Sequence, residues 1–127
     1  MSPDLFSRMG IEPKQQNVEL SPKMGRFVAL AVRDFPHVAV LMLLEKNRTT
    51  RYKAGEIAKL IGESRSRTAS VLKDLEGAKL VLGEGALGRT FRYDSGTPHE
   101  SLVQRFIKLW SNPVTHGAVT RKILEQK

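Results

Sequence analysis

The stretch Ala54-Gly55-Glu56-Ile57-Ala58-Lys59-Leu60-Ile61-Gly62-Glu63-Ser64-Arg65-Ser66-Arg67-Thr68-Ala69-Ser70-Val71-Leu72-Lys73-Asp74-Leu75 holds two helical periods separated by a break. Ile57, Ala58 and Ile61 share one side of a short helix, and Gly62 supplies the left-handed conformation that ends it. Ser64 then caps a longer helix in which Thr68, Val71, Leu72 and Leu75 recur at i, i+3, i+4 and i+7, a stripe that faces the core. The small Ala58 lets the two helices cross closely, while Leu72 and Leu75 pin the second one down. Its opposite side carries Arg65, Ser66, Arg67, Ser70 and Lys73.

Upstream, Ser21 and Pro22 read as an N-cap and a first-turn proline, with Met24, Phe27, Val28 and Ala31 at helical spacing behind them. Pro36 disfavours helical geometry at Phe35, so Val38, Leu41, Met42 and Leu44 belong to a second helix closed by Glu45-Lys46-Asn47. Arg48 to Lys53 is polar and suits a short strand. Downstream, Leu80 to Leu82 predicts a strand, Gly83 to Gly88 a glycine-rich turn, and Thr90 to Tyr93 a returning strand with Phe91 and Tyr93 on one face. Thr97-Pro98-His99-Glu100 offers a cap, a first-turn proline and an acid placed for a capping box, so a helix is expected from there to Ser111. Asn112-Pro113 stops it, and a further short helix with Val119 and Ile123 as its apolar side is expected in the tail. Residues 1–20 read as a loosely ordered arm.

Twenty-one Lys and Arg stand against 13 Asp and Glu in 127 residues, giving a formal charge of +8. A chain of this length supports one domain, and its charge favours an anionic partner, either nucleic acid or an acidic membrane surface. The excess is local. Between Lys46 and Lys73 lie Lys46, Arg48, Arg51, Lys53, Lys59, Arg65, Arg67 and Lys73, with only Glu56 and Glu63 opposing them. No run of about 18 apolar residues exists, and Met1 to Gly10 has no signal-peptide core, so a cytoplasmic protein without a membrane span is expected. The absence of cysteine excludes disulfides and thiolate metal sites.

The order from Pro36 to Tyr93, with Gly55 to Gly62, Ser64 to Leu72, and Leu75-Glu76 leading to Leu80-Val81, resembles the winged helix-turn-helix of MarR- and ArsR-type transcriptional regulators. The resemblance implies a mainly α chain with a small β-hairpin wing, an α+β class. It places a DNA-binding unit at 36–95 between a helix at 21–35 and helices within 97–127. Lys53 stands where such motifs often have a capping Ser or Thr, Glu63 takes a turn position that is usually apolar, and the wing is short, which leaves the subfamily open. Sequence-specific duplex DNA binding is the expected function. Ser64, Arg65, Ser66, Arg67 and Ser70 head the recognition helix, and arginine suits guanine O6 and N7. Lys53, Lys73, Arg89 and Arg92 are expected on phosphates.

The apolar residues of the flanking helices look too many for a soluble monomer, and regulators of this kind pair such helices across a two-fold axis. A homodimer is therefore expected, with Phe27, Val28, Val103, Phe106, Ile107 and Trp110 at its interface and recognition helices about 34 Å apart. A winged-helix module for protein contacts in a nucleoprotein assembly is the alternative function, and charge argues against it. Binding of RNA or single strands ranks third, because Tyr52 is the one candidate stacking platform.

Gly83-Glu84-Gly85-Ala86-Leu87-Gly88 matches the dinucleotide fingerprint in letters, but it leads into a strand where that motif opens a helix. A hairpin tip accounts for it better, so no cofactor is expected. His37, His99 and His116 lack metal-ligand spacing, and His37 and His99, each beside a proline in a first turn, are expected to face solvent. No nucleophile sits in an activating context, so no enzyme is expected. The identity of any small-molecule effector is open.

Overall fold

Helix α1 (Pro22–Ala31) starts where Ser21 and Pro22 place it, with the Ser21 hydroxyl accepting the Met24 N–H at 3.1 Å. In the computed structural model, which describes residues 20–85, 88–94, 96 and 98–125, this helix opens a mainly helical chain. Helix α2 (Phe35–Lys46) follows, begun by Asp34, whose carboxylate accepts the Phe35 N–H at 2.8 Å. It is apolar on nearly every side, and Val38, Val40, Leu41 and Leu44 are buried. A helix of that kind belongs at a core centre.

Strand β1 (Tyr52–Lys53) leads into helix α3 (Ala54–Ile61), where the Glu56 carboxylate reaches back to the Lys53 N–H at 2.7 Å. Lys53 thus occupies the cap position without a capping hydroxyl, and Glu56 satisfies the backbone from the other direction. Gly62 ends α3 at φ 72°. Ser64 caps helix α4 (Arg65–Gly77) by accepting the Arg67 N–H at 3.1 Å, and Thr68, Val71, Leu72 and Leu75 are buried as their spacing predicts.

Strands β2 (Val81–Glu84) and β3 (Thr90–Tyr93) pair antiparallel, and β1 adds to the far side of β3, giving the order β1-β3-β2. Tyr52 opposes Phe91, and Val81 opposes Tyr93. Phe91 and Tyr93 both turn inward. The first strand of the hairpin begins one residue later than expected and runs on to Glu84, because Gly83 and Glu84 complete the ladder opposite Phe91 and Thr90. Ala86 and Leu87, at the expected tip, the arm over 1–19 and the Thr97 cap lie outside the described residues.

Helix α5 (Glu100–Ser111) begins at Glu100, two residues later than the sequence suggests. The Glu100 carboxylate is committed elsewhere. It accepts from Arg48 at 2.7 Å, from the Tyr93 hydroxyl at 3.1 Å and from Gln104 at 3.1 Å, while Arg48 also reaches Glu45 at 3.0 Å. Burial, then the bond to Glu100, pushes the Tyr93 phenol far above its ordinary value. The cluster ties α2, β3 and α5 together. Asn112 and Pro113 break the chain into helix α6 (Pro113–Leu124), longer than expected, with Val119 and Ile123 fully buried.

The flanking helices close on their own chain. Helix α1 packs against α5 and α6, and the Phe27 and Phe106 rings lie 5.9 Å apart. Phe27, Val28, Val103 and Phe106 are buried in the same core cluster as Leu41 and Leu72. These four were expected to meet a second copy, and they are buried within their own chain instead. Their apolar area is covered because α6 completes a layer over α1 that a short, weakly apolar tail helix could not supply. Ile107 and Trp110 keep partial exposure. Among the described residues no single helix is long and apolar enough to cross a membrane.

Phe106→Ala is expected to destabilise the chain by about 3–5 kcal/mol, since it leaves a cavity beside Phe27 and Trp110. Urea or thermal denaturation checks it, and a loss below about 1 kcal/mol would contradict a ring sealed in the core.

Candidate nucleic-acid interface

Helix α4 presents Arg65, Ser66, Arg67, Ala69, Ser70 and Lys73 to solvent on the side opposite its buried stripe. Its first turn projects because α3 crosses behind it with Ile57 and Ala58 buried at the contact. Gly55 makes room there. A Cβ on Gly55 would stand 3.2 Å from the Arg65 Nε, so the guanidinium lies along the start of α3. Lys53, Lys59 and Arg65 then line one shallow groove with Glu56 and Glu63 on its walls. None of these three cations makes an ion pair with a described residue, and neither does Lys73.

The remaining arginines expected at the interface are held by carboxylates. Arg67 bonds to Asp34, the cap of α2, and its Nε lies 3.9 Å from Glu63. Arg89 meets Glu76 at 2.7 Å and covers the Phe91 ring at 5.3 Å. Arg92 shares Glu84 with Arg51, at 3.4 and 3.3 Å. Gly83 serves the Arg89 pair, because a Cβ there would come within 2.3 Å of Arg89 Nη2 and 2.8 Å of Glu76 Oε2. The structure thus gathers Lys53, Ser64, Arg65, Ser66, Arg67 and Ser70 around the start of α4, leaves Lys73 about two turns further along the same helix, and turns Arg89 back toward its far end.

The turn between α1 and α2 braces α4 from the other side. Arg33 and the His37 Nε2 both meet Asp74 Oδ2, at 2.8 and 2.9 Å. Contrary to the solvent-facing place expected for it, His37 is 6% exposed. Its first-turn position turns toward α4 because Asp74 offers an acceptor there. Burial alone would raise the Asp74 carboxyl, but the bonds from His37 and Arg33 outweigh it and hold the group below its ordinary value.

Three residues of this surface escape a reading of the sequence. Lys59 carries no signal beyond its charge, Asp34 reads as a helix cap with no hint of Arg67 thirty-three positions on, and Asp74 looks like a solvated helix residue. Among the described residues no group of three His, Asp or Glu is placed to hold a metal ion. Comparison with protein-family models, curated proteins and solved structures gives no match for this chain.

Because the folded Asp74 titrates lower than the unfolded one, its contribution is present above the ordinary carboxylate range and is lost as the pH falls through its folded value. The melting temperature is expected to drop on acidification below about pH 4, and Asp74→Asn to flatten that limb while lowering stability at neutral pH. Thermal melts across the pH range check both.

Proposed function

We propose that the chain is a winged helix-turn-helix protein that binds duplex DNA sequence-specifically as a transcriptional regulator, with α4 in the major groove and the β2–β3 hairpin as its wing. The observation that carries this reading is the disposition of acids on α4. Both of its carboxylates are engaged by other elements, Asp74 by Arg33 and His37 and Glu76 by Arg89. The outer face of the helix then contributes no carboxylate of its own, and carries Arg65, Ser66, Arg67, Ser70 and Lys73 around the small Ala69.

A helix docked by its N-terminal turns offers base edges the side chains at its start. Arg65, Ser66 and Ser70 take that role directly. Lys53, Lys59 and Lys73 flank them at positions suited to phosphates, where a point charge suffices. Arg67 must first exchange Asp34 for a base or phosphate acceptor, and Arg89 and Arg92 likewise begin from ion pairs. Their net gain on DNA is correspondingly smaller. The reading is one of binding without catalysis. A homodimer on a two-fold site belongs to it, with contacts drawn from accessible residues such as Ile107 and Trp110.

Fluorescence anisotropy with duplexes selected from a random pool tests the reading. Affinity is expected to fall steeply with salt, by roughly 0.9 log units per log unit of salt for each neutralised phosphate. A flat salt response, or no selected consensus, would remove duplex recognition. Arg65→Ala is expected to cost about 1–3 kcal/mol on the selected duplex and to relax its sequence preference, whereas Lys73→Ala weakens every duplex alike.

The Asp34 contact yields a separate expectation. Asp34→Asn should tighten DNA binding several-fold by releasing Arg67 and removing a negative charge from the surface, roughly the worth of one exposed ion pair. The gain should vanish in the Arg67→Ala background. Weaker binding by Asp34→Asn would instead mark Asp34 as the group that aims Arg67 at DNA.

A further inference from the structure

A second groove opens at the opposite end of α4, between α1, the exit from α4 and the first turns of α5, with a volume of about 530 Å³. Its walls are apolar, built from Phe27, Leu30 and Leu102, and Leu30 is 77% exposed, more than any other large apolar side chain among the described residues. Its rim is basic. Lys23 and Arg26 stand one turn apart on α1, and Lys79 faces them from the α4 exit. None of the three forms an ion pair with a described residue, and no carboxylate lines the groove.

Lys79 adds an independent observation. It is the one described non-glycine residue with a positive φ, at 65°. The position follows the last turn of α4, where glycine is ordinarily favoured because a Cβ is strained in that conformation. Neighbouring bonds enforce it, with the Lys79 N–H on the Glu76 carbonyl and the Leu80 N–H on the Leu75 carbonyl, both at 3.0 Å. These helix-ending bonds fix the Lys79 backbone, and its side chain lines the groove from there.

We propose that this groove binds an amphipathic organic anion, a carboxylate head on an apolar body. The body lies against Phe27, Leu30 and Leu102, and the carboxylate sits among Lys23, Arg26 and Lys79, with Arg26 offering the paired donors that a carboxylate accepts. The volume falls in the range of small-molecule sites. The apolar walls argue for such a ligand over a nucleic acid, whose phosphates need no hydrophobic wall and whose bases need exposed rings. Phe27 is 7% exposed, so it offers no stacking face. The inference is independent of the proposed DNA reading, because Arg65, Ser66 and Ser70, to which that reading gives the base contacts, lie at the other end of α4 and none of them lines the groove.

Calorimetry on the full chain with decanoate, held below its micelle concentration, tests the proposal, with decanol and acetate as the two halves of the ligand. Decanoate is expected to bind saturably at one site, with decanol and acetate each weaker by about tenfold or more, since each lacks one of the two contacts. Lys79→Gly removes the strain together with the cation. Its melting temperature should stay level or rise while its decanoate affinity falls about tenfold, a separation that a purely structural lysine would not produce. Absence of saturable decanoate binding, equal binding of decanol, or undiminished binding by Lys79→Gly overturns the proposal. So does a Lys79→Gly variant that loses affinity for duplex DNA while decanoate fails to bind, which would assign the groove to the nucleic-acid surface.

Discussion

Helix α2 has almost no face that can meet water, and the rest of the chain is arranged to cover it. Val38, Val40, Leu41 and Leu44 are buried, and Met42 and Leu43 are half-buried against the same core. Each such side chain contributes roughly 1.5–3 kcal/mol when removed from water, so leaving one side of α2 bare would forfeit several of these contributions. Helices α3 and α4 and strand β3 pack directly on it. Polar groups at its two ends complete the attachment. At the first, Asp34 and His37 reach α4; at the second, Glu45 joins the Arg48 and Glu100 cluster under α5. The position of α4 follows from these contacts, and so does the surface it turns outward.

Electrostatics then sorts the cations. Of the excess positive charge in the middle of the chain, the guanidiniums are largely spent on internal pairing. Arg33, Arg48, Arg51, Arg67, Arg89 and Arg92 each meet a described carboxylate, whereas Lys53, Lys59, Arg65 and Lys73 meet none. Arginine's planar fork suits such fixed pairs, and lysine's mobile ammonium suits a surface that must follow a backbone of phosphates. Counting charges along the sequence overstates the field at the start of α4 and misplaces part of it. The unpaired set is smaller, and it is concentrated around the α3–α4 crossing.

Features encoded by neighbours in the chain were legible. Ser21-Pro22, Gly62 and Ser64 mark helix ends because capping chemistry acts over three or four residues. The stripe of Thr68, Val71, Leu72 and Leu75, and the alternation of Phe91 and Tyr93, declare their buried faces by period alone. What could not be read is pairing across the fold. Phe27 and Phe106 look like unclaimed apolar surface until each is seen to cover the other, and His37 looks solvated until Asp74 is placed beside it. The candidate surface divides in the same way. Its residue types on α4 were visible in sequence, whereas the carboxylates that restrain Arg67, Arg89 and Arg92 come from other elements.

Trp110 is the sole tryptophan of the chain. Its ring lies 4.2 Å from the His116 imidazole, which also bonds to the Trp110 carbonyl at 2.8 Å, and 6.3 Å from Phe35. Phe35 is the immediate neighbour of Asp34, and Asp34 holds Arg67. The protein therefore contains an intrinsic optical reporter wired to the joint between α1 and α2. Indole emission senses the polarity and protonation of its surroundings, so a shift of that joint, which holds Arg67 of α4 through Asp34, registers in ultraviolet fluorescence with no dye attached.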